Sequence, residues 1–221
     1  MKKDKETRII LFEGQPGSGK TTLSTELFDE FVIKDFKSKL IDEYKQDTEI
    51  FGDYWDTFEN SGAEVIESFV QSWKKFLAMI EEGEVIIMDN ALLNQVQYLM
   101  SLNTSKKEIT KFFVTTSKFF EEFNASMVFM DGDSDKIIRR INESRRNGWG
   151  ERVSKFMAEA PYQKQRNRIG IEGMVEFFSD SQVLKREILN DWLYPIIQID
   201  VTDQNWEEYK KAIRDFVFLQ K

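Results

Sequence analysis

The strongest constraint in the chain is the run Gly14-Gln-Pro-Gly-Ser-Gly-Lys-Thr-Thr22, set directly behind Arg8-Ile-Ile-Leu-Phe-Glu13. The apolar residues before it read as a buried strand. Those after it place Leu23, Leu27 and Phe31 on one helical stripe. A glycine-rich turn at such a junction can point several backbone N–H groups at one anion. Gly19 and Lys20 then open a helix whose N-terminal end favours negative charge. The spacing Gly14-x-x-x-x-Gly19-Lys20-Thr21 matches a phosphate-binding loop at every position. Lys20 is placed for the β- and γ-phosphates of a nucleotide and the Thr21 hydroxyl for magnesium. Gln15, Pro16, Gly17, Ser18 and Thr22 complete the cradle.

Strands and helices alternate through the remainder. Residues 39–41 form a weak second strand ending in Asp42 and Glu43, and residues 63–80 an amphipathic helix. Residues 84–88 form a third strand stopped by Asp89-Asn90. A phenylalanine-rich helix over 105–123 precedes a fourth strand, 126–130, which Asp131 closes. A helix carrying Ile137, Ile138 and Ile141 follows, then a Gly- and Arg-containing stretch to Gly173, read as mobile. A long helix, a fifth strand over 195–201 and a last helix over 205–219 finish the chain. Such alternation predicts βαβ units and a parallel sheet with helices on both faces. No linker divides residues 1–221, so one domain is expected. Ligands of these sheets bind beyond the carboxyl ends of the strands, which singles out Asp42, Glu43, Asp89, Asn90, Asp131 and Asp200.

Composition removes whole classes of chemistry. The chain has no cysteine and no histidine, which excludes disulfides, thiolate nucleophiles, Cys/His zinc sites and a histidine base. A proton acceptor must then be an Asp or Glu, and a metal site must use oxygen ligands, pointing to Mg2+. Thirty-one basic against 39 acidic residues leave a net charge of -8, which argues against nucleic acid and anionic membranes as partners. No segment reads as a signal peptide or membrane span, so a cytoplasmic protein is expected; a homodimer is left open.

The acid that partners a phosphate loop stands at the end of a nearby apolar strand, the place of Asp89. With Thr21 it forms the expected metal pair; its bland alternative is a helix cap for the segment from Ala91. Phosphate loops serve switches, motors and kinases alike. A guanine-reading Asn-Lys-x-Asp segment is absent, and the chain carries its own arginine cluster: Arg139, Arg140, Arg145 and Arg146, with Arg152, Arg166 and Arg168 beyond. Phosphoryl transfer depends on positioning and charge neutralisation, so Arg139, Arg145 and Arg146 are assigned to a lid over about 140–172 that closes on the γ-phosphate. The bland reading is a solvated face with surface ion pairs. Tyr54, Trp55, Phe58, Gln95 and Gln97 are candidates for the acceptor site, and Glu172 for a helix cap or a catalytic acid. Trp73 and Phe76 are read as core.

Four blocks, "ILFEGQPGSGKTTLSTEL", "LIDEYKQD", "VIIMDNALLNQVQYLM" and "MVFMDGDSDKIIRRINESRR", resemble in order the signature segments of P-loop nucleoside and nucleotide kinases. The tail "IGIEGMVEFFSDSQVLKREIL" is similar to a group of bacterial P-loop kinase-like proteins. "GQPGSGKT" also resembles the loop of the zeta-toxin kinases, with little beyond it. The resemblance implies an α/β P-loop NTPase three-layer sandwich with a five-stranded, mainly parallel sheet and an Arg-bearing lid. It implies ATP as donor with Mg2+, a nucleotide or related small-molecule acceptor, and a catalytic base at Glu43 or its neighbour Asp42. In the deoxynucleoside kinases the third strand ends in an acid-arginine pair, whereas here it reads Asp89-Asn90. That departure keeps open a nucleotide-binding regulatory ATPase without an acceptor. A polynucleotide 5′-kinase is disfavoured by the acidity.

Overall fold

Side-chain alternation along the strands decides which residues share a core. The computed structural model describes residues 7–43, 50–52, 58–145 and 148–219. Strand β1 (Arg8–Gly14) sends Ile9 and Leu11 to one side and Ile10 and Phe12 to the other. That is the two-residue period of a strand buried on both faces. Helix α1 (Lys20–Ile33) leads to β2 (Ser38–Ile41), and α2 (Gly62–Leu77) to β3 (Val85–Asp89). Helices α3 (Leu92–Ser101) and α4 (Lys106–Ser117) precede β4 (Asn124–Asp131). Then come α5 (Ser134–Ser144), α6 (Trp149–Ala158), α7 (Pro161–Gln165), α8 (Gly170–Ile188), β5 (Ile196–Asp200) and α9 (Trp206–Leu219).

The strands lie in the order β2-β3-β1-β4-β5, and every pairing is parallel. Helices α1 and α9 cover one face, while α2, α3, α4 and α8 cover the other. The expected three-layer α/β arrangement is therefore what the chain adopts. Register brings the strand ends level: Phe12 pairs with Asp89, Ile41 with Met88, Gly14 with Met130, and Asp131 with Asp200. The polar residues that follow each strand consequently share one edge of the sheet.

Local chemistry explains where the helices begin. Ser61 and Glu64 form a reciprocal capping box on α2, and Ser105 with Glu108 repeats it on α4. Each satisfies two N–H groups that a helix start would otherwise leave open. Four elements differ from the sequence expectation. The helix over 105–123 stops at Ser117 and tightens into a short 3-10 turn, Lys118–Phe120. All ten residues of α3 are buried, so no polar face marks its period in the sequence. The stretch after Arg145, read as mobile, folds into α6 and α7: Gly148 adopts the left-handed conformation at the N-cap of α6, and Pro161 opens α7.

Trp73 and Phe76 are core, as expected. Trp73 is fully buried, donates Nε1–H to Gln95 Oε1 at 2.7 Å, and meets the rings of Phe51, Phe76 and Phe120. A Trp73→Ala variant therefore loses about 3–5 kcal/mol of stability, measurable by urea unfolding. A loss below ~1 kcal/mol would show that the site collapses without cost.

Candidate active site

The phosphate-loop sequence takes the shape that its glycines allow. A side chain at Gly14 would place its Cβ 2.5 Å from the carbonyl oxygen of Met130 on the neighbouring strand. Only glycine lets β1 run this close to β4 and then turn. Gly19 caps α1 with φ of 89°, and a Cβ there would meet the Trp206 ring at 2.7 Å. No side chain caps the start of α1, so its first N–H groups face the loop's concave side together with the positive end of the helix dipole. Lys20 is buried and its Nζ donates to Gln15 O at 3.0 Å, lying across the cradle. The Ser18 hydroxyl and the Gln15 carboxamide are buried within the loop, with no hydrogen-bond partner among the described residues.

Beside the cradle, Thr21 Oγ1 donates to Asp89 Oδ2 at 2.5 Å. This joins the first turn of α1 to the end of β3, as the register of β1 with β3 requires. Burial pushes the Asp89 carboxyl above the usual range, against Lys20 and the Thr21 hydrogen bond. Among the described residues no cluster of three or more His, Cys, Asp or Glu could hold a metal. A hydroxyl and a carboxylate alone fit a hard cation that takes its remaining oxygens from phosphate and water.

Asn90 and Asn94 each donate their Nδ2 to the same oxygen of Glu43, at 2.9 and 3.1 Å. Asn90 holds a left-handed φ of 62°, which asparagine tolerates, and its N–H donates to Phe12 O at 2.7 Å. Two neutral amides thus orient Glu43, and one of them, Asn90, stands where the resembling kinases carry an arginine. Glu43 lines the central cavity, whereas Asp42 does not.

That cavity measures about 1050 Å³. The loop, Thr21 and Thr22 form one end of it, with Trp206, Glu207 and Lys210 alongside. Glu43, Asn90, Asn94 and Gln97 make a polar floor. Opposite stands an apolar wall of Trp149, Val153, Phe156 and Met157, joined by Ile141 and Phe178. The wall comes largely from α6, the helix absent from the sequence reading. Arg145 lines the cavity at the end of α5, its guanidinium 5.2 Å from the Trp149 ring centre.

The other arginines are placed differently. Arg139 sits outside the cavity, with its two Nη atoms on the Glu172 carboxylate at 3.0 and 2.7 Å and its Nε on Asp135 at 2.8 Å. Glu172 therefore belongs to the first turn of α8 as the partner of Arg139, not to the cavity. Arg168 pairs with Glu176 and Asp180, and Arg166 covers the Tyr162 ring. Arg146, Tyr54 and Trp55 lie outside the described residues. Phe58 packs on Phe156 and Tyr98, and Gln95 turns inward to Trp73. Of the acceptor-site candidates among the described residues, Gln97 alone lines the cavity. Asp131 is saturated: Arg186, Gln182 and Gln198 donate to it, tying α8 and β5 to the end of β4.

Two buried charges were not singled out from the sequence. Glu13 Oε1 accepts the Leu92 N–H at 2.6 Å, securing the turn after Asp89, and burial pushes its carboxyl up to about 7. Lys185 is 1% exposed; burial pulls its ammonium down to about 7, with nearby Lys20 acting in the same direction and Glu13 opposing it. A signal for each existed: Glu13 is the lone acid of an apolar strand, and Lys185 falls on the apolar face of a helix.

Comparison with solved structures bears on the whole chain. Thymidylate kinase from Candida albicans superposes with a TM-score of 0.58 at 17% identity, covering 96% of this chain and 91% of that one. The fold is that of the P-loop nucleotide kinases. YorR protein from Bacillus subtilis, solved in complex with phosphorylated GDP, gives a TM-score of 0.52 at 16% identity over 96% of each chain. No protein-family model and no curated protein sequence matches the chain. Identities this low carry the P-loop kinase fold and leave the chemistry to the cavity. Among the described residues no helix is long and apolar enough to cross a membrane.

Proposed function

We propose that this chain is an ATP-dependent phosphotransferase that moves the γ-phosphate to a nucleoside, a nucleotide or a chemically related small metabolite. The observation that carries the reading is the convergence on one cavity of the phosphate cradle, Thr21, whose hydroxyl bonds Asp89 behind it, and a carboxylate held by two amides. Its volume lies just above the ~300–1,000 Å³ range of single small-molecule sites, which suits two ligands meeting end to end.

In this reading the backbone N–H groups of the loop, Pro16 excepted, and the Lys20 ammonium hold the donor's phosphates. Thr21 and Asp89 would hold Mg2+, which would supply charge neutralisation on the donor's phosphates. Glu43 accepts the proton of the attacking hydroxyl. Two neutral donors, Asn90 and Asn94, hold its carboxylate in place. Arg145 neutralises charge on the transferring group, and residues of about 140–172 act as a lid whose α6 wall excludes water. Residues 1–221 then work as one domain.

The deciding experiment incubates the chain with ATP, Mg2+ and a panel of nucleosides and nucleoside 5′-monophosphates, following ADP and phosphorylated product. Acceptor-dependent ADP formation supports the reading. The alternative, a regulatory ATPase, rests on Asn90 standing where the resembling kinases have arginine. It would show as tight ATP binding with ADP formation indifferent to every acceptor.

A further inference from the structure

Gln97 projects from α3 into the polar floor of the cavity, and α8 determines how it is presented. Its carboxamide oxygen accepts two hydrogen bonds, from Ser181 Oγ at 3.1 Å and from Lys185 Nζ at 3.0 Å. Phe178, Ser181 and Lys185 follow at i, i+3 and i+7, one face of α8 turned toward α3. Lys185 is 1% exposed, so its effect on a ligand must pass through Gln97.

A carboxamide carries one acceptor oxygen and one donor NH2 group. With Oε1 engaged by a hydroxyl and an amine, Nε2 is left for the cavity, and it donates to no described residue. The flipped rotamer would set the NH2 against the buried lysine nitrogen, donor against donor, which burial makes costly. The Nδ2 groups of Asn90 and Asn94 are engaged on Glu43. Of these three amides, Gln97 is the one that commits neither of its Nε2 N–H donors to a described residue.

We propose that Lys185 and Ser181 are positioning residues that lock Gln97 with its NH2 toward the cavity, so that the acceptor is a planar ring bearing a carbonyl oxygen or unprotonated ring nitrogen at that point. The proposal rests on the phosphotransfer reading for the word acceptor, and it deepens that reading by stating the ring's hydrogen-bonding polarity. The ring edge meets Gln97 while its faces lie toward Phe178 and the α6 wall. The ammonium is donor-only, whereas the neutral amine also carries a lone pair, so the lock is firmest while Lys185 is protonated.

Calorimetric binding tests this without turnover, using two probe pairs. Thymidine 5′-monophosphate is set against its difluorotoluene isostere, and adenosine 5′-monophosphate against its benzimidazole counterpart. The wild-type chain is expected to bind the acceptor-bearing member of at least one pair about tenfold more tightly, the effect of one well-made hydrogen bond. Lys185→Met frees the amide and reduces the ratio to within about twofold. Gln97→Glu does the same by removing the donor while still accepting from Lys185, and it decides the matter if Lys185→Met does not fold. A merely structural lysine would lower the melting temperature and leave the ratio intact. Retained discrimination in both variants, no discrimination in the wild type, or no binding of any probe overturns the proposal. Discriminating binding without ADP formation instead overturns the phosphotransfer reading alone.

Discussion

A Lys20→Met variant is expected to lose about 10²–10³-fold in phosphotransfer rate, the scale for deleting one preorganised charge at a developing anion. Methionine keeps the stem that fills the loop and removes only the ammonium, so the buried position is not left as a hole. The ammonium also lowers the proton affinity of Asp89 and Glu13. Its loss therefore favours protonation of the acid assigned to the metal, and ATP affinity weakens together with the rate. Single-turnover kinetics with titration of ATP and Mg2+ measures both, and thermal unfolding confirms the fold. Unchanged affinity with unchanged turnover would remove Lys20 from the donor site and the proposed function with it.

Glu43→Gln is the second large effect, a fall of about 10²–10⁴-fold in turnover, as expected for a general base. The loss has two parts. The amide cannot accept the hydroxyl proton, and its NH2 can be turned toward Asn90 and Asn94, which already present NH2 groups. ATP affinity stays within about twofold, because the phosphate cradle is untouched. Asp42→Asn is the companion measurement. Asp42 lies off the cavity, so a rate loss equal to that of Glu43→Gln would move the base by one residue.

Much of the frame was legible beforehand, for identifiable reasons. Strands buried on both faces read as unbroken apolar runs, so β1, β3 and β4 were visible without a partner. The phosphate loop was visible because its constraint is steric and local: Gly14 and Gly19 stand where a side chain would collide or the backbone turn left-handed. Helix α3 entered only as the segment from Ala91 that Asp89 would cap, because full burial erases the amphipathic period. Helix α6 escaped because Gly148 and Gly150 punctuate it, a pattern that ordinarily marks a loop.

The arginine cluster shows the other limit. Arg139, Arg140 and Arg145 are neighbours in sequence, yet Arg139 is held by Glu172, Arg140 donates to Thr202 O at 3.0 Å, and Arg145 reaches the cavity. Helical rotation sends residues a few positions apart in different directions, and each then takes the partner that tertiary packing supplies.

By itself, the order of residues determined the strand-loop-helix cradle, the alternating α/β architecture, and the oxygen-only chemistry of a chain without cysteine or histidine. These follow from short-range sterics, from periodicity and from composition, none of which needs a distant contact. Only the tertiary structure decided the rest. It brought Asn90 and Asn94 together on the Glu43 carboxylate, placed α6 as the cavity's apolar wall, and turned Gln97 by way of a lysine on α8. Each of these joins residues tens of positions apart across the sheet edge, and the register of parallel strands, invisible in any local window, brings them together.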